Sequence, residues 1–372
     1  MTARLRPTHA EVDLDAIRAN VHTLAAAAGD AAVCAVVKAD GYGHGAVPVA
    51  RAALDAGASW LAVALVEEGE ELRDAGIDAP ILVLTEPPPA GVDRLLAARL
   101  TPAVYTARFG RALDAAGRGR GEPVAVHVKA DTGMGRVGVP PDGWEGFLAE
   151  AAGWSGVRIE ALWSHMARAD EPDAPTTAEQ QDRFDAFLAL AGEHGIEPAL
   201  THTANSAATL VQPRARRDLV RVGIAMYGLS PSTEVTADGH GLVPALRFVT
   251  EVGFAKRVTA GTPASYGHTW SAPADGWLAS LPVGYADGVP RLLSNRGEVL
   301  LRGLRRPIVG NVCMDQLLVW CGDDEPHVGD EVVLLGGQDG ARVTADEWAA
   351  WAGTITYEIA TGITRRVPRL AR

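Results

Sequence analysis

From Val33 to Tyr227 the chain alternates short apolar runs with helical stretches, and few folds satisfy such a pattern. Strand-like runs stand at Val33–Ala39, Trp60–Leu65, Ile81–Thr85 and Thr101–Thr106, then at Pro123–Asp131, Val157–His165, Ala199–Ser206 and Leu219–Tyr227. Helical periodicity fills most of the gaps, at Gly45–Gly57, Glu67–Gly76, Ala107–Gly117, Trp144–Trp154 and Ala178–Gly195, while Ser206–Val211 is long enough for a single turn. An amphipathic helix, Asp13 to Gly29, precedes them and is closed by glycine. Eight strands with intervening helices predict an α/β fold with an N-terminal (β/α)8 TIM-like barrel; a doubly wound sheet is the second choice.

Past Gly241 the long helices stop. Extended segments follow at Arg247–Val258, Trp277–Val283, Glu298–Val312 and Glu331–Gly336, with one helix at Thr344–Gly362. The small, polar stretch Ser230–Gly241 reads as a linker, so the expected organisation is a barrel over residues 1–240 and a mostly β domain over 241–372. A chain of 372 residues that is 47% hydrophobic can bury two such cores.

The barrel expectation can be checked against chemistry, because barrel enzymes act at the C-terminal ends of their strands. The unusual polar residues fall there: Lys38 after the first run, Lys129 and Asp131 after the fifth, His165 after the sixth, Asn205 and Ser206 after the seventh. Arg221 lies inside the eighth, between Val220 and Val222, where a buried charge demands specific partners.

Lys38 is the sharpest of these. Burial lowers an amine's pKa, and a neutral amine is a nucleophile able to form a Schiff base. Of 34 basic residues only Lys38, Lys129 and Lys256 are lysines, and the first two share the contexts VVKAD and HVKAD. Arginine, which keeps its proton, could do neither imine nor base chemistry. The plainer reading is two lysines reaching from strand ends to solvent. The turn Gly41-Tyr42-Gly43-His44-Gly45 has the spacing G-x-G-x-G, which is not a dinucleotide fingerprint; its glycines suit the approach of Lys38 and Tyr42 to a ligand.

Arg136, in the glycine-rich KADTGMGRVG, suits a carboxylate or, equally, a solvated loop. His165 fits a ligand shell or a satisfied strand end. Asn205-Ser206 reads as a helix cap that would favour a phosphate. In the β region, Tyr266 of SYGHTW is a turn tyrosine or, beside a cation, a general base.

The net charge of −12 and pI near 5.3, with no basic block, argue against nucleic acid as the partner. Cys34, Cys313 and Cys321 are too few and scattered for a disulfide framework or a thiolate metal site, and no metal is expected. No apolar run is long enough for a membrane helix, and MTARLRPTHAEVDL lacks the apolar segment of a secretory signal, so a soluble cytoplasmic protein is expected.

With these residues assembled, the chain resembles the alanine racemases, enzymes that use pyridoxal 5'-phosphate. AVVKADGYGHG is similar to the family's cofactor-lysine motif, and the likeness runs from EVDLDAIRAN to TYEIATGITRRVPR. The resemblance implies that Lys38 anchors the cofactor covalently and serves as base on one face of the substrate, with Tyr266 on the other. It implies that Tyr42, Ser206, Gly223, Ile224 and Tyr357 hold the phosphate. Arg221 would meet the pyridine nitrogen, buttressed by His165. Arg136 and the backbone N–H of Met314 would meet the substrate carboxylate, and Lys129 would be open to carbamylation. It further implies a head-to-tail homodimer in which Tyr266 comes from the partner chain, and D-alanine made for peptidoglycan. Trp163 and Asp170–Thr177 receive no role. Alternatives are a racemase of broader specificity, for instance toward serine, a barrel decarboxylase, and a cofactor-binding protein without catalysis. An arginine at the pyridine nitrogen leaves that nitrogen unprotonated, which weakens the electron sink and favours racemisation over decarboxylation.

Overall fold

Asp13 starts the first helix, its carboxylate accepting the Ala16 N–H at 2.9 Å, and Gly29 (φ 69°) ends it after Ala28. The computed structural model describes residues 5–372, so the first four residues of the expected non-signal N-terminus lie outside the described residues. Packing separates two units. One comprises Ile17–Gly41 and Ala46–Val243; the other comprises residues 5–16, Tyr42–Gly45 and Pro244–Arg372.

The first unit is the barrel. Its strands are Ala32–Val36, Trp60–Val63, Ile81–Val83, Thr101–Val104, Val124–Lys129, Val157–Trp163, Leu200–His202 and Leu219–Val222, each parallel to its neighbours. The ladder runs unbroken from the seventh strand back to the first, and then to the eighth. The remaining seam carries no ladder. It is bridged by Asp218 N–H to Thr201 O at 3.1 Å, Arg221 N–H to Ala204 O at 3.0 Å, and the Asp218 carboxylate on the Thr201 N–H and hydroxyl. Strand residues such as Leu61, Ala62, Val63, Ile81, Leu82 and Val83 are wholly buried, as expected of parallel strands covered on both sides.

Several expected boundaries move for identifiable reasons. The first strand stops at Val36, and Ala39, Asp40 and Gly41 adopt left-handed φ/ψ near 52–59° and 46–51°, so Lys38 opens a left-handed turn instead of ending a strand. The helix expected to stop at Gly117 continues to Arg120. Gly117 serves close packing there, since a Cβ would sit 1.9 Å from the Gly156 carbonyl oxygen, and the left-handed cap is Gly121. A short helix, Val92–Ala97, follows the proline run and was not foreseen. The expected linker Ser230–Gly241 is packed: Val235 is fully buried, and Ser230 Oγ accepts the Ala237 N–H at 3.0 Å.

The second unit is mostly β. Its main sheet is largely antiparallel and accepts His9–Val12 between Leu246–Glu251 (antiparallel) and Arg369–Ala371 (parallel). The single expected run Arg247–Val258 divides at Val252-Gly253, and Glu298–Val312 is a hairpin turning at Arg302-Gly303, both with positive φ. Leu317–Gly322 is a further strand that sequence reading missed. The expected helix Thr344–Gly362 is two, Ala345–Ala352 and Thr356–Gly362, interrupted by Gly353 in the left-handed region. Phe248, Val299, Leu300, Leu334 and Trp348 lie at the centre of this unit's core.

Candidate active site

The geometry around Lys38 starts with strain. Ala39, Asp40 and Tyr42 all carry positive φ, a conformation that costs a non-glycine residue roughly 1–2 kcal/mol. Local hydrogen bonds hold the barrel unit's part of the turn. Gly41 N–H donates to Val37 O, the Asp40 carboxylate accepts the Ala46 N–H, and Tyr227 Oη donates to Val36 O at 3.0 Å. Glu68, from helix Val66–Asp74, accepts N–H groups from Ala39 at 2.6 Å, Ala64 at 2.7 Å and Leu65 at 3.1 Å. Glu68 therefore ties the lysine's turn to the second strand's exit, a role that sequence reading missed. Lys38 is half-buried, and burial first, then Arg136, lowers its amine pKa while Glu68 opposes the shift.

Lys129, at the end of the fifth strand, is 2% exposed. Burial, then Arg221 and Arg136, push its amine down to about 7. Its Nζ lies 4.8 Å from the Trp163 ring centroid, and Arg221 Cζ lies at the same distance from that ring. Trp163, which sequence reading could not place, is thus a π surface serving two cations. Its indole also donates to His127 O at 3.3 Å and stacks on His202.

Arg221 finds the partners that its burial requires, all of them neutral acceptors. Nη1 donates to His202 Nδ1 at 2.7 Å; Nη2 donates to Ser164 O at 2.9 Å, Thr203 O at 3.1 Å and His165 Nδ1 at 3.2 Å. Burial lowers its pKa to about 10, which still leaves it charged at neutral pH. Burial, with Arg221 next, pushes His165 well below its usual range, so it meets the guanidinium as a neutral acceptor.

Asn205, not Ser206, is the cap of helix Ser206–Val211, its side chain accepting the Ala208 N–H at 3.0 Å. Ser206 Oγ, which is buried, accepts the N–H groups of Gly223 at 2.8 Å and Ala225 at 3.3 Å. That places Ser206, Gly223 and Ile224 beside one another. Arg136 is exposed on a loop shaped by Asp131, which accepts the N–H groups of Gly133 and Gly135.

The remaining candidates belong to the other unit. Tyr42 and Tyr357 meet with ring centroids 6.3 Å apart, and burial pushes the Tyr42 phenol up to about 12, keeping it a hydrogen-bond donor. Gly43 (φ 80°) lies so close to Ala360 that a Cβ would stand 2.3 Å from its carbonyl oxygen. Tyr266 sits in a turn where Ser265, Gly267 and His268 all have positive φ, and the residue is 76% exposed. Beside it lies a hollow of about 460 Å³ lined by Ser265, His268, Cys313 and Leu317, among others. Met314 is exposed as well.

Sequence profiles described as alanine racemase, N-terminal domain, and alanine racemase, C-terminal domain, match residues 12–231 and 245–371. The alanine racemase of Symbiobacterium thermophilum is 50% identical over 366 residues, 98% of this chain and 97% of its own. Among solved structures, alanine racemase from D-cycloserine producing Streptomyces lavendulae matches with a TM-score of 0.96 and 42% identity, over 100% of this chain and 98% of its own. Alanine racemase from Bartonella henselae with covalently bound pyridoxal phosphate matches with a TM-score of 0.88 and 26% identity, over 98% and 99%.

Proposed function

Because the chain belongs to the alanine racemase family and shares its interconversion of L- and D-alanine, we propose that Lys38 and Tyr266 are the two bases of that reaction. The observation that carries this reading is the lysine itself: a half-buried amine with a lowered pKa, held in a strained turn at the C-terminal end of the first barrel strand.

The donor set on the barrel unit fits pyridoxal 5'-phosphate, which would supply an electron sink for negative charge at the substrate's α-carbon. Lys38 would anchor it. Ser206, Gly223 and Ile224 would hold its phosphate, and so would Tyr42 and Tyr357. Arg221, a donor at neutral pH with His165 behind it, would leave the ring nitrogen without a proton and so disfavour decarboxylation. Arg136 would hold the substrate carboxylate through paired hydrogen bonds, and the Met314 N–H would assist.

Racemisation needs a proton removed from one face and delivered to the other. Lys38 would exchange it on one face and Tyr266 on the opposite one. The exposure of Tyr266 supports a head-to-tail homodimer, in which Tyr266 of the partner subunit completes each site. On this division of labour residues 1–240 supply the cofactor's contacts apart from Tyr357, and 241–372 carry the second base. With its amine at about pKa 7, Lys129 has enough neutral form to take up carbon dioxide as a carbamate. The reaction would run in the cytoplasm and supply D-alanine for peptidoglycan; among the described residues no helix is long and apolar enough to cross a membrane.

The test is borohydride reduction of the purified protein with pyridoxal phosphate, followed by peptide mapping. The expected result is a visible absorption band that reduction removes, with the pyridoxyl group on Lys38. No band, or a label on another residue, would overturn the assignment.

A further inference from the structure

Four rings fill the barrel interior beside Arg221. Trp60 and His127 have centroids 5.1 Å apart, His127 and His202 also 5.1 Å, and His202 stacks on Trp163 at 5.3 Å. Hydrogen-bond logic fixes the protons on the two imidazoles. A guanidinium carries donors only, so His202 Nδ1, facing Arg221 Nη1, is a bare acceptor. His202 is therefore neutral with its hydrogen on Nε2, which lies 3.0 Å from His127 Nδ1. That second Nδ1 must accept in turn. His127 consequently carries its hydrogen on Nε2, 3.4 Å from Glu160 Oε2, a long contact that falls short of a full hydrogen bond.

Glu160 reaches that ring through an irregularity in the sheet. Val126 pairs with Ile159, but His127 pairs with Ala161, so Glu160 is an extra residue in the sixth strand. Such bulges re-aim side chains, commonly near active sites. Arg158 Nη2 donates to the other Glu160 oxygen at 3.1 Å, and His127 and Arg158 together hold this carboxyl below its usual range. Burial keeps both imidazoles neutral, and the charged groups acting on His127 are Glu160, Arg221 and Arg158.

We propose that His127 and Glu160 are positioning residues for racemisation, locking His202 as an Nδ1 acceptor and so fixing the orientation of the Arg221 guanidinium. The hydrogen-bonded row has one allowed direction, Arg221 to His202 to His127, and an ionised carboxylate, Glu160, lies 3.4 Å beyond it. A buried arginine with neutral acceptors thereby gains a counter-charge through two oriented rings. The functional half rests on Arg221 facing the cofactor's ring nitrogen; the proton assignment does not.

The test begins with 15N-histidine NMR of the wild-type protein, cofactor-free and cofactor-loaded. Both His127 and His202 are expected to show a bare Nδ1 and a protonated Nε2 at neutral pH. A protonated Nδ1 on either ring would overturn the lock. Kinetics follow. H127L and E160Q are expected to lower kcat roughly tenfold while KM for alanine changes less than about twofold. Both should also shift the visible band of the bound cofactor. H127Q, whose amide oxygen can still accept from His202, is expected to recover most of the loss. Wild-type kcat and an unshifted band in both H127L and E160Q would contradict the proposal; if H127L does not fold, E160Q alone decides in the same way. Failure of the Lys38 label would remove the functional reading while leaving the NMR result intact.

Discussion

Burial among cations sets the chemistry of both barrel lysines, and for Lys129 the effect is large enough to register in stability. Its pKa of about 7 in the folded chain compares with about 10.5 when exposed. Between those values the unfolded chain binds the extra proton, so this residue makes stability rise with pH from about 7 to 10.5, with the full cost of a buried charge present below 7. Lys129→Met is therefore expected to raise the melting temperature of the cofactor-free protein by several degrees at pH 6–7 in bicarbonate-free buffer, with the gain fading toward pH 10. A gain independent of pH would show that the amine is not depressed. Sequence alone singled out Lys38 and Lys129 because arginine dominates elsewhere. It could not find His202 and His127, whose strand contexts THT and VHV look like ordinary core positions. It also gave Trp163 no role, because a ring shared by two cations is defined only once the barrel closes and brings side chains of the fifth, sixth and eighth strands into one interior.

At the scale of elements, periodicity located the barrel strands and most helices because each buries a continuous apolar face. The failures have different causes. Gly117 reads as a helix stop but is a packing contact against Gly156, and Gly353 inside an apolar helical pattern is a genuine break. Leu317–Gly322 alternates buried and half-buried residues in the fold, but LLVWC is apolar throughout and shows no period of two in the sequence. The left-handed turn after Val37 was the least legible, since Ala39 gives no signal of positive φ and a single Asp gives a weak one. Its continuation offers a direct check. Gly43→Ala would place a methyl 2.3 Å from the Ala360 carbonyl oxygen at φ 80°, and we expect about 2–4 kcal/mol of destabilisation in urea unfolding. A cost below about 0.5 kcal/mol would mean that this approach is looser than the structure shows.

For the whole molecule, two units divide the candidate residues: Lys38, Lys129, Arg136, His165, Ser206, Arg221, Gly223 and Ile224 in the barrel unit, Tyr42, Tyr266, Met314 and Tyr357 in the other. On the proposed dimer the bases acting together belong to different subunits, and mixing two dead variants tests this. Lys38→Ala and Tyr266→Phe are each expected to be nearly inactive as homodimers. Unfolded together and refolded as a mixture, half of the dimers pair one variant with the other. Each of these would rebuild one native site, restoring about a quarter of wild-type activity. Restored activity near that level is the predicted result. No recovery, in a mixture shown to contain mixed dimers, would contradict the shared site and place both bases within one chain.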